Sequence, residues 1–377
     1  MKQNEAKAVL ALPERIKKTL LLRNYRKDSP FFSVIVPCYN CANTIERLLD
    51  SIIAQELGNY IEVILSDDCS TEDYMDKVKP YESKLNIRYT STGTNSGPGI
   101  ARQRGMEISK GEWIVFCDSD DAFVPNIFIN IWILIKNGPS DRVLISTKFK
   151  EILIETGEVL SEMPPNAMSW VHGKFFNRKK LIEKYNIRFH PDLFTHEDLY
   201  FNLLVIGIMA REGLLKENNF IEETTYLWSC IPDTITRTKD NKGFGYIQTK
   251  QKDYIDAILL SHLELLKRYP ETLEDIQISI IESYYLIYCY EQAGIRINIK
   301  NNNGEESELL KNNFEYVKKF VRVVKEKFDL SIDDMNFVLI SNPKVCMKIM
   351  KDSWIGTGPF YPIETIEQFG KRVIEED

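Results

Sequence analysis

Asp118-Ser119-Asp120-Asp121 follows directly on the apolar run Trp113–Cys117. Residues i and i+2 of an extended chain point to the same side, so Asp118 and Asp120 could reach one ligand from a strand end. Hard carboxylate oxygens suit Mg²⁺ or Mn²⁺, which one or two protein carboxylates commonly share with substrate phosphates. Acidic triplets are also frequent in solvated loops. What sets this one apart is its place at the end of a core strand, where crowded carboxylates need a cation or water. A second acidic pair, Asp67-Asp68, ends the run Ile61–Leu65. A third, Glu197-Asp198 in Thr195-His196-Glu197-Asp198, heads a long apolar segment. Acidic residues there fit a helix N-terminus, and they equally fit a general base at the edge of a crevice.

Two other motifs compete for attention. Gly97-Pro98-Gly99-Ile100-Ala101-Arg102 opens a helix after a strand, as a dinucleotide fingerprint should. Arg102 stands where the third glycine belongs, however, and the strand before it is the third, not the first. No Walker A sequence occurs, so P-loop chemistry is excluded. Cys38-Tyr39-Asn40-Cys41 has C-x-x-C spacing, but no second pair completes a four-ligand zinc site. Two small buried thiols are the simpler expectation.

The elements that must position these groups alternate. Phe32–Pro37, Ile61–Leu65, Ile87–Ser91 and Trp113–Cys117 read as strands. Thr44–Gln55, Ile100–Ser109 and Asn126–Lys136 read as helices, the last opened by Pro125. Alternation of this kind predicts βαβ units and a mostly parallel sheet. Ligands of such sheets lie at the carboxyl ends of the strands, where Tyr39-Asn40, Asp67-Asp68 and Asp118–Asp121 fall. Beyond Arg142, Val143–Leu153 and Glu158–Leu160 flank a turn at Glu155-Thr156-Gly157, His196–Ala210 is helical and Thr224–Cys230 is a strand. Helical periodicity then takes over, with helices also at Ser307–Lys327 and Ile332–Ser341. The expected domains are a basic helical extension over 1–30, an α/β domain over 31–240 and a helical region over 241–377.

With 377 residues, 48 basic and 55 acidic, the net charge of −7 argues against a nucleic-acid partner. Seven scattered cysteines and the lack of an apolar leader point to a reducing, cytoplasmic location. No apolar run reaches the ~18 residues of a membrane span. Residues 1–28 hold eight basic and three acidic side chains, a local +5, with a stripe at Val9, Leu12, Ile16 and Leu20. The stripe suits packing on the body. The charge suits peripheral contact with the inner face of an anionic membrane.

The block from Ser33 to Asp121, SVIVPCYNCANTIERLLDSIIAQ…IEVILSDDCSTED…NSGPGIARQRGMEISKGEWIVFCDSDD, resembles the nucleotide-sugar half of family 2 glycosyltransferases of the GT-A fold. The likeness continues through Trp170-Val171-His172-Gly173-Lys174, Ile187-Arg188-Phe189 and His196-Glu197-Asp198, and covers about residues 31–240. It implies a GT-A-like, Rossmann-type, mostly parallel sheet flanked by helices, with a C-terminal α-helical region outside the likeness. By the same resemblance, Pro37 and Tyr39 lie against the donor's base, Asp68 contacts it with Asp67 beside, and Arg102 lies near the nucleotide or its phosphates. Asp118 faces the ribose and also the metal, Asp120 holds Mn²⁺ or Mg²⁺, and Ser119 lies between them. Lys174 is a basic residue of the donor site. Asp198 is the base, with Glu197 as its neighbour. Cys69 departs from the pattern by replacing the usual glycine after the paired aspartates.

The resemblance thus implies an inverting, metal-dependent transfer from a nucleoside diphosphate-sugar, UDP above all, to a carbohydrate, lipid-linked or protein acceptor. Two alternatives stand beside it: a catalytically silent nucleotide-sugar-binding scaffold, and a nucleotidyltransferase. The second would ordinarily need a phosphate-cradling basic glycine loop after the first strand, which is absent here. Tyr284, Tyr285, Tyr288 and Tyr290 mark the helical region either as an acceptor or homo-oligomer surface or as a packed core.

Overall fold

The structure is a computed structural model that describes residues 10–24, 30–167, 169–231, 250–301, 308–344, 346–347, 362 and 364–375. It divides into two compact units, Met1–Cys230 and Ile231–Asp377. The boundary expected near 240 falls outside the described residues, as do residues 1–9.

In the first unit, nine strands form one sheet: β1 Phe32–Cys38, β2 Ile61–Asp67, β3 Asn86–Ser91, β4 Trp113–Phe116, β5 Ala122–Phe123, β6 Leu144–Leu153, β7 Val159–Met163, β8 Lys174–Asn177 and β9 Phe220–Cys230. Their order is β3-β2-β1-β4-β8-β6-β9-β5, with β7 beside β6. The first four strands pair in parallel, and so do β6 and β9. The α/β, GT-A-like architecture expected from the sequence is the one observed. Strands β5 and β8 escape sequence reading because two or four residues carry no usable period. Yet β8 joins the two halves of the sheet, antiparallel to both β4 and β6.

The central strand β1 is buried except at Pro37, which is partly exposed. Its last pair with β4 is Ile35↔Phe116, so the missing N–H of Pro37 lies beyond that ladder and costs no sheet hydrogen bond. Helices Ile45–Ile53 (α2) and Pro98–Ile108 (α3) cover the parallel half. α3 sits so close that a Cβ on Gly105 would lie 2.3 Å from Ile35 Cγ2. At the sheet's opposite end, buried Glu62 is satisfied by the Ser33 hydroxyl at 2.6 Å, the Lys110 and Gly111 amides at 2.6 and 3.0 Å, and Arg88 at 3.2 Å.

Helix Ile127–Lys136 (α4) does not begin as expected. Asn126 intervenes with φ 62° as its N-cap, so Pro125 lies outside the helix. The N-terminal helix Glu14–Asn24, before α2 in the chain, packs on α4: Lys17 is buried and donates to Glu14 at 2.7 Å and to Asn130 at 3.2 Å. Helix Glu197–Arg211 (α5) completes the unit, its N-cap His196 in the left-handed region at φ 58°.

The second unit is helical, with helices Gln251–Arg268, Leu273–Asn301, Glu308–Phe328, Ile332–Ser341 and Ile366–Glu375. Tyr284, Tyr288 and Tyr290 lie in its core at 0–7% exposure and Tyr285 is partly buried, which fits the packed-core alternative of the two. No helix among the described residues is long and apolar enough to cross a membrane.

Candidate active site

The register of the parallel strands brings the acidic segments together. Cys38 of β1 pairs with Asp67 of β2, and β4 on the other side of β1 runs into Asp118. Asn40, in the left-handed region at φ 49°, ties the two loops: its Oδ1 accepts from the Thr71 and Glu72 amides at 2.9 and 3.2 Å. Tyr39 next to it is 47% exposed. A pocket of about 530 Å³ opens beside these loops, lined by Asp67, Ser70–Met75, Tyr89 and Thr90.

Asp68 is buried, and its carboxylate is occupied within the chain. Oδ1 accepts from the Ser96 amide at 2.9 Å and the Thr92 hydroxyl at 2.8 Å, and Oδ2 accepts from the Gly97 amide at 2.8 Å. It therefore anchors the turn that launches α3. Cys69 adopts the left-handed region that favours glycine, at φ 62°. Cys38 and Cys41 are free, buried thiols, and hydrogen bonding to Cys41 together with burial pushes the Cys38 thiol up. A thiolate at Cys38 is disfavoured there.

After Asp118 the chain turns instead of staying extended, the Asp121 amide donating to the Asp118 carbonyl at 3.1 Å. The i, i+2 geometry is lost at this turn, through Ser119 and Asp120. Ligand atoms of Asp118, Asp121 and His172 lie within 4.8 Å of one another. Asp121 is fully buried, accepting from the Tyr226 hydroxyl and, at 2.7 Å, from the Ser229 amide. Burial and then the neighbouring Asp120 and Asp118 charges hold its carboxyl well above the usual range. Asp120 is pushed up to about 6 by burial and then by Asp118. Arg47 of α2 reaches the Asp120 carbonyl at 3.0 Å and the Ser229 hydroxyl.

Arg102 is the buried cation of the site. One terminal nitrogen donates to Asp118 Oδ1 at 2.6 Å and the other to Glu197 Oε1 at 2.5 Å. Burial would raise Asp118, but Arg102, with His172 at 3.3 Å, holds its carboxyl far below the ordinary range. Glu197 is raised by burial despite Arg102. Asp198 is raised well above the usual range by burial and then by Glu197. Asp120, Asp121 and Asp198 make no ion pair among the described residues. That leaves the strand end with an excess of carboxylates, a donor set fitting a divalent cation.

Lys174 is buried on β8, and its ammonium donates to the Ala167 and Trp170 carbonyls at 2.7 and 2.6 Å. Burial brings it down to about 7. His172 stacks on Tyr226 with centroids 4.5 Å apart. Asn40 is marked in the sequence by its place beside Tyr39 at the first strand's end and His172 by its motif, whereas Arg47 and Tyr226 carry no such mark. Each of these last two reaches the site from an element distant in sequence.

Residues 33–192 match the family model described as Glycosyl transferase family 2. The chain is 29% identical over 210 residues to the poly(ribitol-phosphate) beta-N-acetylglucosaminyltransferase TarS of Staphylococcus aureus, covering 51% of this chain and 35% of TarS. It is 34% identical over 312 residues to the poly(ribitol-phosphate) beta-glucosyltransferase of Bacillus spizizenii, covering 79% of this chain and 46% of that enzyme. The chain thus spans less than half the length of both relatives. The crystal structure of S. aureus TarS 1–349 in complex with UDP-GlcNAc superposes with a TM-score of 0.55 at 18% identity, covering 88% of this chain and 93% of that one. Residues 33–192 therefore form a glycosyltransferase family 2 domain, set in a GT-A-like fold.

Proposed function

We propose that the protein transfers a sugar from a UDP-sugar to an acceptor hydroxyl with inversion, aided by a divalent cation. The observation that carries this reading is the placement of Asp67 at the end of β2 and of Asp118 and Asp120 just after β4, the two strands that flank β1, with Arg102 tying Asp118 to Glu197 next to Asp198 at the start of α5. The pocket beside Asp67 offers room for the base, with Tyr39 at the adjoining loop. The Asp118–Asp121 turn, with Asp120 as a carboxylate outside any ion pair among the described residues and with ligand atoms of Asp118, Asp121 and His172 within 4.8 Å of one another, would hold Mn²⁺ or Mg²⁺, which when bound supplies Lewis-acid neutralisation of the leaving diphosphate. Asp120, held up to about 6 without a cation, fits a carboxylate that waits for one.

Asp198 would take the acceptor hydroxyl's proton as the oxygen attacks the anomeric carbon on the face opposite the diphosphate. One displacement inverts the configuration and requires no side-chain nucleophile. A base with proton affinity raised by burial suits this step. The relatives' names make poly(ribitol phosphate) the first acceptor to try and UDP-GlcNAc and UDP-glucose the first donors. The test is Asp198→Asn with UDP-GlcNAc. Transfer should fall by about 10²–10⁴-fold while UDP binding persists. Wild-type turnover in that variant would defeat the assignment of the base, and wild-type turnover undiminished after removal of all divalent cations would defeat the metal's role.

A further inference from the structure

We infer that Arg102 is a positioning residue that clamps the start of α5 to the end of β4, and that it does not bind the donor's phosphates. The inference rests on the glycosyltransferase reading, because only that reading makes the start of α5 the place of the base.

Both terminal nitrogens of Arg102 are already used, at 2.6 Å on Asp118 and 2.5 Å on Glu197. The side chain is 4% exposed, and its Nε is buried without a partner among the described residues. One guanidinium between two carboxylates leaves a group of net charge −1, which offers a diphosphate no attraction. The neighbouring turn of α3 is shaped for the same contact. Gly99, three residues earlier and on the same helix face, has no Cβ because Glu197 Cγ and Cβ would lie 2.8 and 2.9 Å from one. Phe189 lies under the guanidinium, 6.0 Å from its carbon. α3 thus presents a gap for the Glu197 stem and a cation for its head. Asp198 is the next residue, so the clamp fixes the base relative to Asp118. A planar fork can bridge two carboxylates in this way, and a lysine cannot match that geometry.

The test compares wild type, Arg102→Lys, Arg102→Met and Arg102→Met/Glu197→Gln. UDP affinity is measured by calorimetry with Mn²⁺, and turnover as UDP release from saturating UDP-GlcNAc with poly(ribitol phosphate) as acceptor. A clamp predicts UDP affinity within about threefold of wild type in every variant, with turnover down about 100-fold in Arg102→Met, the scale of a 1 Å misplacement. Arg102→Lys should recover part of that loss. The double variant should regain part of the thermal stability lost in Arg102→Met, because Glu197 is then no longer a buried carboxylate stripped of its cation, and it should regain no turnover. UDP binding weakened more than tenfold with saturated turnover intact would make Arg102 a phosphate ligand and overturn the inference alone. A wild type that neither binds UDP nor turns over would overturn the transferase reading, and the inference with it.

Discussion

Replacing Gly99 by alanine tests how closely the site is built. Gly99 is the second residue of α3, where alanine by propensity alone would stabilise by at most ~1 kcal/mol. Its new Cβ would lie 2.8 Å from Glu197 Cγ and 2.9 Å from Glu197 Cβ, against 3.4 Å or more for an ordinary contact. About 0.6 Å must therefore be found somewhere. Glu197 cannot swing aside, since it is buried and paired with Arg102 at 2.5 Å. The start of α5 has to move, and Asp198 moves with it. Overpacking of this kind costs roughly 1–3 kcal/mol, which outweighs the propensity gain. A 1 Å error at a reacting centre can cost about 10²-fold, so 0.6 Å corresponds to roughly tenfold. The expected outcome is turnover reduced about tenfold at saturating donor, UDP affinity little changed and a melting temperature lower by a few degrees. Calorimetric UDP binding, UDP-release kinetics and a thermal melt together check it. Turnover within twofold of wild type with an unchanged or higher melting temperature would refute the contact argument.

Further outcomes follow from other residues. Cys69→Gly should stabilise by roughly 0.5–1 kcal/mol, because φ 62° strains a residue with a Cβ; a lower denaturation midpoint would count against it. Asp120 has its proton held to about 6 in the fold against an ordinary 3.8, so its contribution to stability is full below the ordinary value and is lost as pH rises through about 6. Without metal, Asp120→Asn should therefore gain on wild type in melting temperature between about pH 4 and 7, and Mn²⁺ should narrow the gap. A pH-independent difference would remove the electrostatic cause. Lys174→Met should destabilise by about 1–3 kcal/mol, since the Ala167 and Trp170 carbonyls lose their ammonium donor. UDP affinity should hold, and a large loss of it would make Lys174 a donor ligand.

Much of this protein was legible as a string. The strands β1 to β4 announce themselves by apolar runs ending in polar residues, and parallel pairing then forces those ends to one edge. That is why Asp67, Asp118 and Asp120 could be placed near one another before any coordinates. The motif order from Ser33 to Asp198 pointed to the family for the same reason. Boundaries drifted by one or two residues where a left-handed cap decided them, as at Asn126 and His196. Periodicity carries no information about the sign of φ.

Only the tertiary structure decided what each charged side chain faces. Asp68 reads as a donor contact, yet backbone amides of the turn before α3 take up its carboxylate. Arg102 reads as a residue near the nucleotide or its phosphates and is held between two carboxylates, one 16 and the other 95 residues away. His172, Arg47 and Tyr226 reach the Asp118–Asp121 turn from β8's approach, from α2 and from β9. The local pattern of a chain specifies which backbone segments form and which of their faces are buried. The partner of a buried charge is set by long-range packing, because its desolvation can be offset only by whichever group the folded chain brings within hydrogen-bond distance.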